Sequence, residues 1–175
     1  MTFDPKGSAL RNPLRAAAML TAALLGAGAL SAAATPAAEA ATPLIQGESY
    51  SMQYGTGTRT AVSPVGFKTT YVGYISNNDW TAYDNVDFGS GLQNVTLTWS
   101  SYEGDLNPGK VEVHVDGLDL PPVVTFNIGY TGSWTTFTAR SMQLPYAITG
   151  VHQVELRYVT STGKDFMNLD SFQFS

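Results

Sequence analysis

After Leu44, apolar and polar residues alternate with a period of two, and this constrains the fold more than anything else in the chain. Val95, Leu97 and Trp99 alternate with Thr96, Thr98 and Ser100. Val111, Val113 and Val115 alternate with Glu112, His114 and Asp116, and Val151, Val154, Leu156 and Tyr158 share a run with Gln153, Glu155 and Arg157. Such spacing puts one side of an extended segment in a core and the other in water. Asn77-Asn78-Asp79, Asn107-Pro108-Gly109, Pro121-Pro122, Gly132-Ser133 and Ser161-Thr162-Gly163 punctuate the runs as turns. No helical periodicity lasts beyond a turn or two. About eight or nine short strands in roughly 130 residues predict an all-β domain, a two-sheet antiparallel β-sandwich of jelly-roll type. No linker or internal repeat divides it, so residues 42–175 are expected to form one domain.

The final run is irregular. Phe166, Met167 and Leu169 lead, then Phe172 and Phe174 follow, so the apolar phase slips between Leu169 and Phe172. A β-bulge near Asp170-Ser171 accounts for the slip.

The first 41 residues read differently. Lys6, Arg11 and Arg15 precede an uncharged apolar run, Ala16 to Ala34, and Ala38-Glu39-Ala40 offers a cleavage site before Ala41. That is the layout of a secretory signal peptide rather than a retained anchor, since no basic stop follows the run. The expected product is secreted, extracellular and monomeric, and free of the membrane once the signal is removed. Removing the segment takes away two acidic and three basic residues, leaving 12 acidic against 6 basic, a net charge of −6. That charge disfavours nucleic acid and anionic lipid as partners. The chain has no Cys, so no disulfide can staple the fold.

Catalytic constellations are not evident. His114 and His152, the only histidines, lie within alternating runs, with no cysteine and no nucleophile elbow nearby. Glycoside hydrolysis needs two facing carboxylates. Asp79, Asp84, Asp87, Glu103 and Asp105 sit at turns or strand ends, and nothing selects a pair. The segment Tyr71–Gly89, YVGYISNNDWTAYDNVDFG, instead packs four Tyr and Trp residues into two strand-like runs. Tyr71 and Tyr74 cannot share the face of a regular strand, so one is expected inside and one outside. Trp99 continues the apolar face of Val95 and Leu97 and reads as core, whereas Trp134 emerges from the turn Thr131-Gly132-Ser133.

Six segments in order, IQGESYS, VGYISNNDWTAYDNVDFGSG, KVEVHVDG, TGSWTTF, GVHQVELRYV and FMNLDSFQF, resemble a family 6 carbohydrate-binding module from Ile45 to Phe174. The resemblance implies a jelly-roll sandwich that binds a polysaccharide such as xylan or another β-glycan without cleaving it, and so no enzyme. It also implies a cleft at one end, with the sugar between Tyr74 and Trp134, Asn168 hydrogen-bonding its hydroxyls, and a structural calcium ion. The apolar C–H face of a pyranose suits an aromatic ring. An amide can both donate to and accept from neighbouring hydroxyls. For calcium the matching residues are Gln46, Glu48 and Asp170, oxygen donors of the kind this ion takes. Residues 46 and 48 are expected on one face of a strand. The sequence departs from the family pattern at Arg59, where many members carry a glutamate, and at Ser171, where many carry Trp. Arginine cannot accept a hydrogen bond but can grip a carboxylate, so Arg59 reads either as a solvated loop residue or as a sign that the cleft takes an acidic sugar. The competing readings are a small secreted polysaccharide hydrolase or lyase, and an adhesive extracellular domain without a sugar site.

Overall fold

A computed structural model describes residues 40–62, 66, 68–103 and 108–175. Apart from its last two residues, the segment 1–41 lies outside them.

Among the described residues, eleven strands form two antiparallel sheets. They are β1 (Ile45–Gln46), β2 (Met52–Tyr54), β3 (Gly57–Val62), β4 (Lys68–Ile75), β5 (Trp80–Asp87), β6 (Leu92–Ser100), β7 (Gly109–Val115), β8 (Val124–Ile128), β9 (Thr138–Ile148), β10 (Val151–Thr160) and β11 (Met167–Phe174). One sheet runs β3-β4-β11-β6-β9, with β1 paired to β11, and the other runs β2-β5-β10-β7-β8. The expected sandwich is therefore present. The strand count exceeds the expected one because β1 and β2 are too short to show an alternation.

The alternating residues supply the core. Val95, Leu97 and Trp99 of β6, Val111 and Val113 of β7, and Val154, Leu156 and Tyr158 of β10 are all buried. Val151, at the first position of β10, is exposed instead. Rings lock the core together in tilted and edge contacts: Tyr83 meets Phe172 at 4.8 Å, Phe88 meets Phe174 at 4.6 Å, and Trp99 meets Phe126 at 6.5 Å. Each such ring removed from water contributes roughly 1.5–3 kcal/mol. Two phenols reach the core with their hydroxyls satisfied. Tyr83 Oη donates to the Gly47 carbonyl at 2.7 Å, and Tyr158 Oη pairs with Thr81 Oγ1 at 2.8 Å.

The last strand is the middle one of its sheet. One side of β11 pairs with β6. On the other side β4 pairs up to Leu169, and β1 takes over at Ser171 and Phe172. In the β11–β6 ladder Leu169 faces Trp99 and Ser171 faces Thr98, so Asp170 is an extra residue. This is the bulge that the apolar phase slip predicts.

Both histidines hold the loop between β7 and β8. His114 is buried with Nδ1 against the Leu120 carbonyl at 2.8 Å. His152 places Nδ1 2.7 Å from Asp116 Oδ2 and Nε2 2.8 Å from the Thr149 carbonyl. Both partners of His152 only accept hydrogen bonds, so the ring satisfies both by carrying two protons. The carboxylate of Asp116, with help from the Thr149 carbonyl, raises the pKa of His152, and the same pair lowers that of Asp116.

Two measurements check this description. Phe172→Ala is expected to cost about 3–5 kcal/mol in denaturant unfolding, through lost burial and a cavity between the sheets. The raised pKa of His152 means its contribution is complete below the ordinary histidine pKa and is lost as pH rises through the folded value. Stability should fall across that interval, and Asp116→Asn should flatten the fall and return the His152 proton resonance to an ordinary titration midpoint.

Candidate functional site

The candidate site is built around a second bulge. In the β4–β11 ladder Met167 faces Ile75 and Leu169 faces Val72, so two residues of β4, Gly73 and Tyr74, oppose the single residue Asn168. Tyr74 takes a left-handed backbone, φ +58°, a conformation uncommon and strained for a bulky side chain. The extra residue changes the parity of the strand. Tyr71 and Tyr74, which a regular strand would send to opposite faces, line the same cavity. Tyr71 is buried, its ring edge-on to Phe137 at 5.5 Å, and Tyr74 is 51% exposed.

The cavity has a volume of about 320 Å³. Its walls are Arg59 from β3, Tyr71 and Tyr74 from β4, Trp134 and Thr135 from the segment before β9, Asp165 from the segment before β11, and Asn168 from β11. The four side chains singled out in the sequence, Arg59, Tyr74, Trp134 and Asn168, thus converge on one place. A larger cavity of about 610 Å³, lined by Pro121, Pro122, Tyr146 and His152 among others, contains none of them. It lies at the far end of β9, whose 11 residues run beside only the eight of β6 from Leu92 to Trp99, a span of roughly 24 Å.

Two glycines make room for the cavity wall. Gly57 and Gly73 face each other across β3 and β4. A Cβ on Gly57 would stand 3.2 Å from Cδ2 of Tyr74, and one on Gly73 would stand 2.6 Å from Cδ of Arg59 and 3.0 Å from Oδ1 of Asn168. The arginine stem and the Asn168 amide therefore share the space that Gly73 vacates. The guanidinium of Arg59 reaches the Tyr74 ring, with Cζ 4.6 Å from its centroid. That is within cation–π range.

The hairpin next to the site is held by its turn. Asn78 takes φ +67°, and Asp79 Oδ2 accepts from the Ser76 N–H at 2.7 Å. Asp79 also packs under Gly55, where a Cβ would lie 1.8 Å from Oδ1. This contact ties the β2–β3 turn, and so the approach to Arg59, to the tip of the β4–β5 hairpin.

Asn168 is 5% exposed and does structural as well as candidate functional work. Its Nδ2 donates to the Trp134 carbonyl at 2.6 Å and lies 3.4 Å from Ser100 Oγ, which itself donates to the same carbonyl at 2.7 Å. The amide nitrogen is thereby committed to holding the Trp134 segment. What it can offer a ligand is Oδ1, an acceptor, and not the donor-and-acceptor pair that the sequence suggests. Trp134 is half-buried, and its ring continues outward into exposed Tyr102 at 6.5 Å and then Tyr130 at 5.8 Å. Tyr102 and Tyr130 lie in irregular segments where no period marks them, and sequence reasoning missed them. It also missed Tyr71 and Asp165 as cavity residues.

The proposed metal ligands are placed differently from expectation. Strand β1 ends at Gln46, and Glu48 lies in a 3₁₀ turn, Gly47–Ser49, so the two are not on one face of a strand. The turn begins because Gly47 passes so close to β11 that a Cβ would stand 2.8 Å from the Leu169 carbonyl and 3.1 Å from that of Asp170. Glu48 Oε2 is buried without a hydrogen-bond partner. Asp170 sits in the bulge beside that turn, accepting from Ser171 Oγ at 2.8 Å. Among the described residues no three His, Cys, Asp or Glu side chains gather as a metal-binding group. Ser171 is buried.

A two-sheet sandwich with an aromatic- and amide-lined cavity at one end has the form of a sugar-binding module. Residues 46–175 match the family described as carbohydrate binding module (family 6), and the chain belongs to that family. A family 6 module from Clostridium cellulolyticum, solved in complex with xylose, is 31% identical with a TM-score of 0.63, over 76% of this chain and 96% of that one. One from Clostridium stercorarium, solved in complex with cellobiose, is 28% identical with a TM-score of 0.62, over 76% and 92%. The endo-1,4-beta-xylanase A of Thermoclostridium stercorarium is 32% identical over 104 residues, 59% of this chain. The match covers only 18% of that enzyme's length.

Asn168→Ala should cost about 1–2 kcal/mol by removing a buried hydrogen bond. It should also raise hydrogen exchange across residues 131–136, since Ser100 alone would then hold the Trp134 carbonyl.

Proposed function

We propose that this chain is a secreted, non-catalytic module that binds a polysaccharide such as xylan or another β-glycan, with one sugar unit stacked between Tyr74 and Trp134. The observation that carries the reading is the convergence of both rings and the Asn168 amide on one cavity at the end of a family 6 sandwich. The ring faces take the C–H face of the sugar and shed water with it. Asn168 Oδ1 accepts from a hydroxyl. The row from Trp134 through Tyr102 to Tyr130 favours a chain over a single sugar, since neighbouring units can lie on successive rings. Among the described residues the cavity carries one carboxylate, Asp165, where glycoside hydrolysis uses two.

Calcium belongs to the same proposal. The unpartnered buried oxygen of Glu48 is the observation that favours it, because a buried carboxylate oxygen without a donor calls for a cation. Glu48, Gln46 and Asp170 would hold the ion by oxygen, with carbonyls from the neighbouring part of β4 able to join them. Bound there, it would cross-link the first and last strands of the domain. Hydrogen bonds already join these segments: Thr42 N–H donates to the Phe174 carbonyl at 2.9 Å, and Gln173 Nε2 donates to the Thr42 carbonyl at 2.7 Å.

The binding test uses insoluble xylan and a panel of β-glycans. The wild-type chain should be retained without releasing reducing sugar, and Trp134→Ala should lower affinity about tenfold or more. Tyr74→Gly should do the same while relieving the left-handed backbone, so its melting temperature should not drop with its affinity. Undiminished retention of both variants would sink the sugar-stacking reading. For the metal, a chelator should lower the melting temperature and added calcium restore it, the stabilisation amounting to about 2.7 kcal/mol at a hundredfold excess over Kd. Glu48→Ala should not respond to either, and a wild-type chain indifferent to chelator would refute the calcium site.

A further inference from the structure

We infer that Arg59 makes the cavity selective for acidic sugars, so that the preferred ligand is a glycan bearing uronic acid units. This inference rests on the sugar-binding reading of the same cavity and names the class of sugar it takes.

Four observations lead to it. First, Arg59 lines the cavity together with Tyr74, Trp134 and Asn168. Second, its position is held. The stem lies in the space left by Gly73, and the guanidinium rests on the Tyr74 ring at 4.6 Å. A guanidinium fixed in this way loses less freedom when it binds than one waving in solvent. Third, contact with the ring engages the cation without using up its N–H groups as a carboxylate would, and paired N–H groups are what a carboxylate takes bidentately. Fourth, among the described residues no ion pair joins Arg59 to a carboxylate.

Asp165 lines the same cavity and carries the opposite sign. A uronic acid matches both charges, because it has one carboxylate for Arg59 and several hydroxyls that can donate to Asp165 and Asn168. A neutral sugar satisfies the acceptors and leaves the guanidinium without an anion. A plain anion such as phosphate satisfies the guanidinium alone and offers nothing to the rings.

The experiment compares ligands that differ only at the carboxylate. Oligosaccharides from glucuronoxylan and from polygalacturonate are each paired with their carboxyl-reduced counterparts and titrated calorimetrically into the full chain. The wild-type protein should bind the acidic member of at least one pair about tenfold more tightly at low salt, and the ratio should shrink as salt is raised. Arg59→Gln should bring the ratio to one, the acidic member losing more affinity than the reduced one. Arg59→Lys, which keeps the charge but loses the fork, should fall between. A wild-type ratio of one would overturn the inference and leave sugar binding intact. So would equal losses for both members in Arg59→Gln, which would make the arginine a brace for Tyr74. Failure of the wild-type chain to bind any member of either pair would overturn the sugar-binding reading and this inference together.

Discussion

The pairing of β11 on both flanks is the interaction on which the rest of the structure depends. The strand offers two rows of backbone groups, and each must be matched by a neighbour or by water. It is matched by β6 along one side, and by β4 and then β1 along the other. Irregularities in these ladders fall where function is proposed. An extra residue in β4 turns Tyr74 toward the cavity, opposite Asn168, and an extra residue in β11 places Asp170 beside the 3₁₀ turn that carries Glu48. Regular ladders would have sent these side chains elsewhere.

The cavity therefore shows how a rigid scaffold presents a chemically mixed surface. Aromatic faces, one amide oxygen, one cation and one carboxylate come from β3, β4, β11 and the segments before β9 and β11. Each is held by something other than a ligand. Asn168 is anchored by the Trp134 carbonyl, Arg59 by the Tyr74 ring, and Tyr71 by Phe137. Such prior ordering lowers what association must cost in side-chain freedom. The left-handed Tyr74 is the counterpart, a local strain kept in place by the two ladders around it.

Much of this was legible in the residues alone. The Val95, Leu97, Trp99 face, the turn at Asn77–Asp79 and the slip at Asp170 follow from periodicity and turn chemistry, and the structure has them where expected. The convergence of Arg59, Tyr74, Trp134 and Asn168 was legible only through family resemblance, since they are spread from position 59 to position 168. Other features had no local signal. A tyrosine is an unusual residue for φ +58°, so the bulge that reunites Tyr71 and Tyr74 could not be read. Gln46 and Glu48 looked like strand neighbours because nothing in IQGES announces that the strand stops after two residues. The cause is the close passage of Gly47 against the carbonyls of Leu169 and Asp170, a tertiary effect. Tyr102 and Tyr130 were hidden by irregular backbone, where spacing carries no information about which way a ring points.

The position of β11 also bears on how the molecule comes into being. The strand that completes the first sheet follows all of its partners in sequence, and it must enter between strands that lie about 70 to 125 residues before it. Until it arrives, β4 and β6 expose unmatched edges that invite association with other chains. Contacts this distant along the chain make for slow, late closure. Insertion of β11, not the emergence of any earlier segment, is thus the event that commits this domain to its shape, and a product cut short before Met167 would be an aggregation hazard instead of a weaker version of the whole.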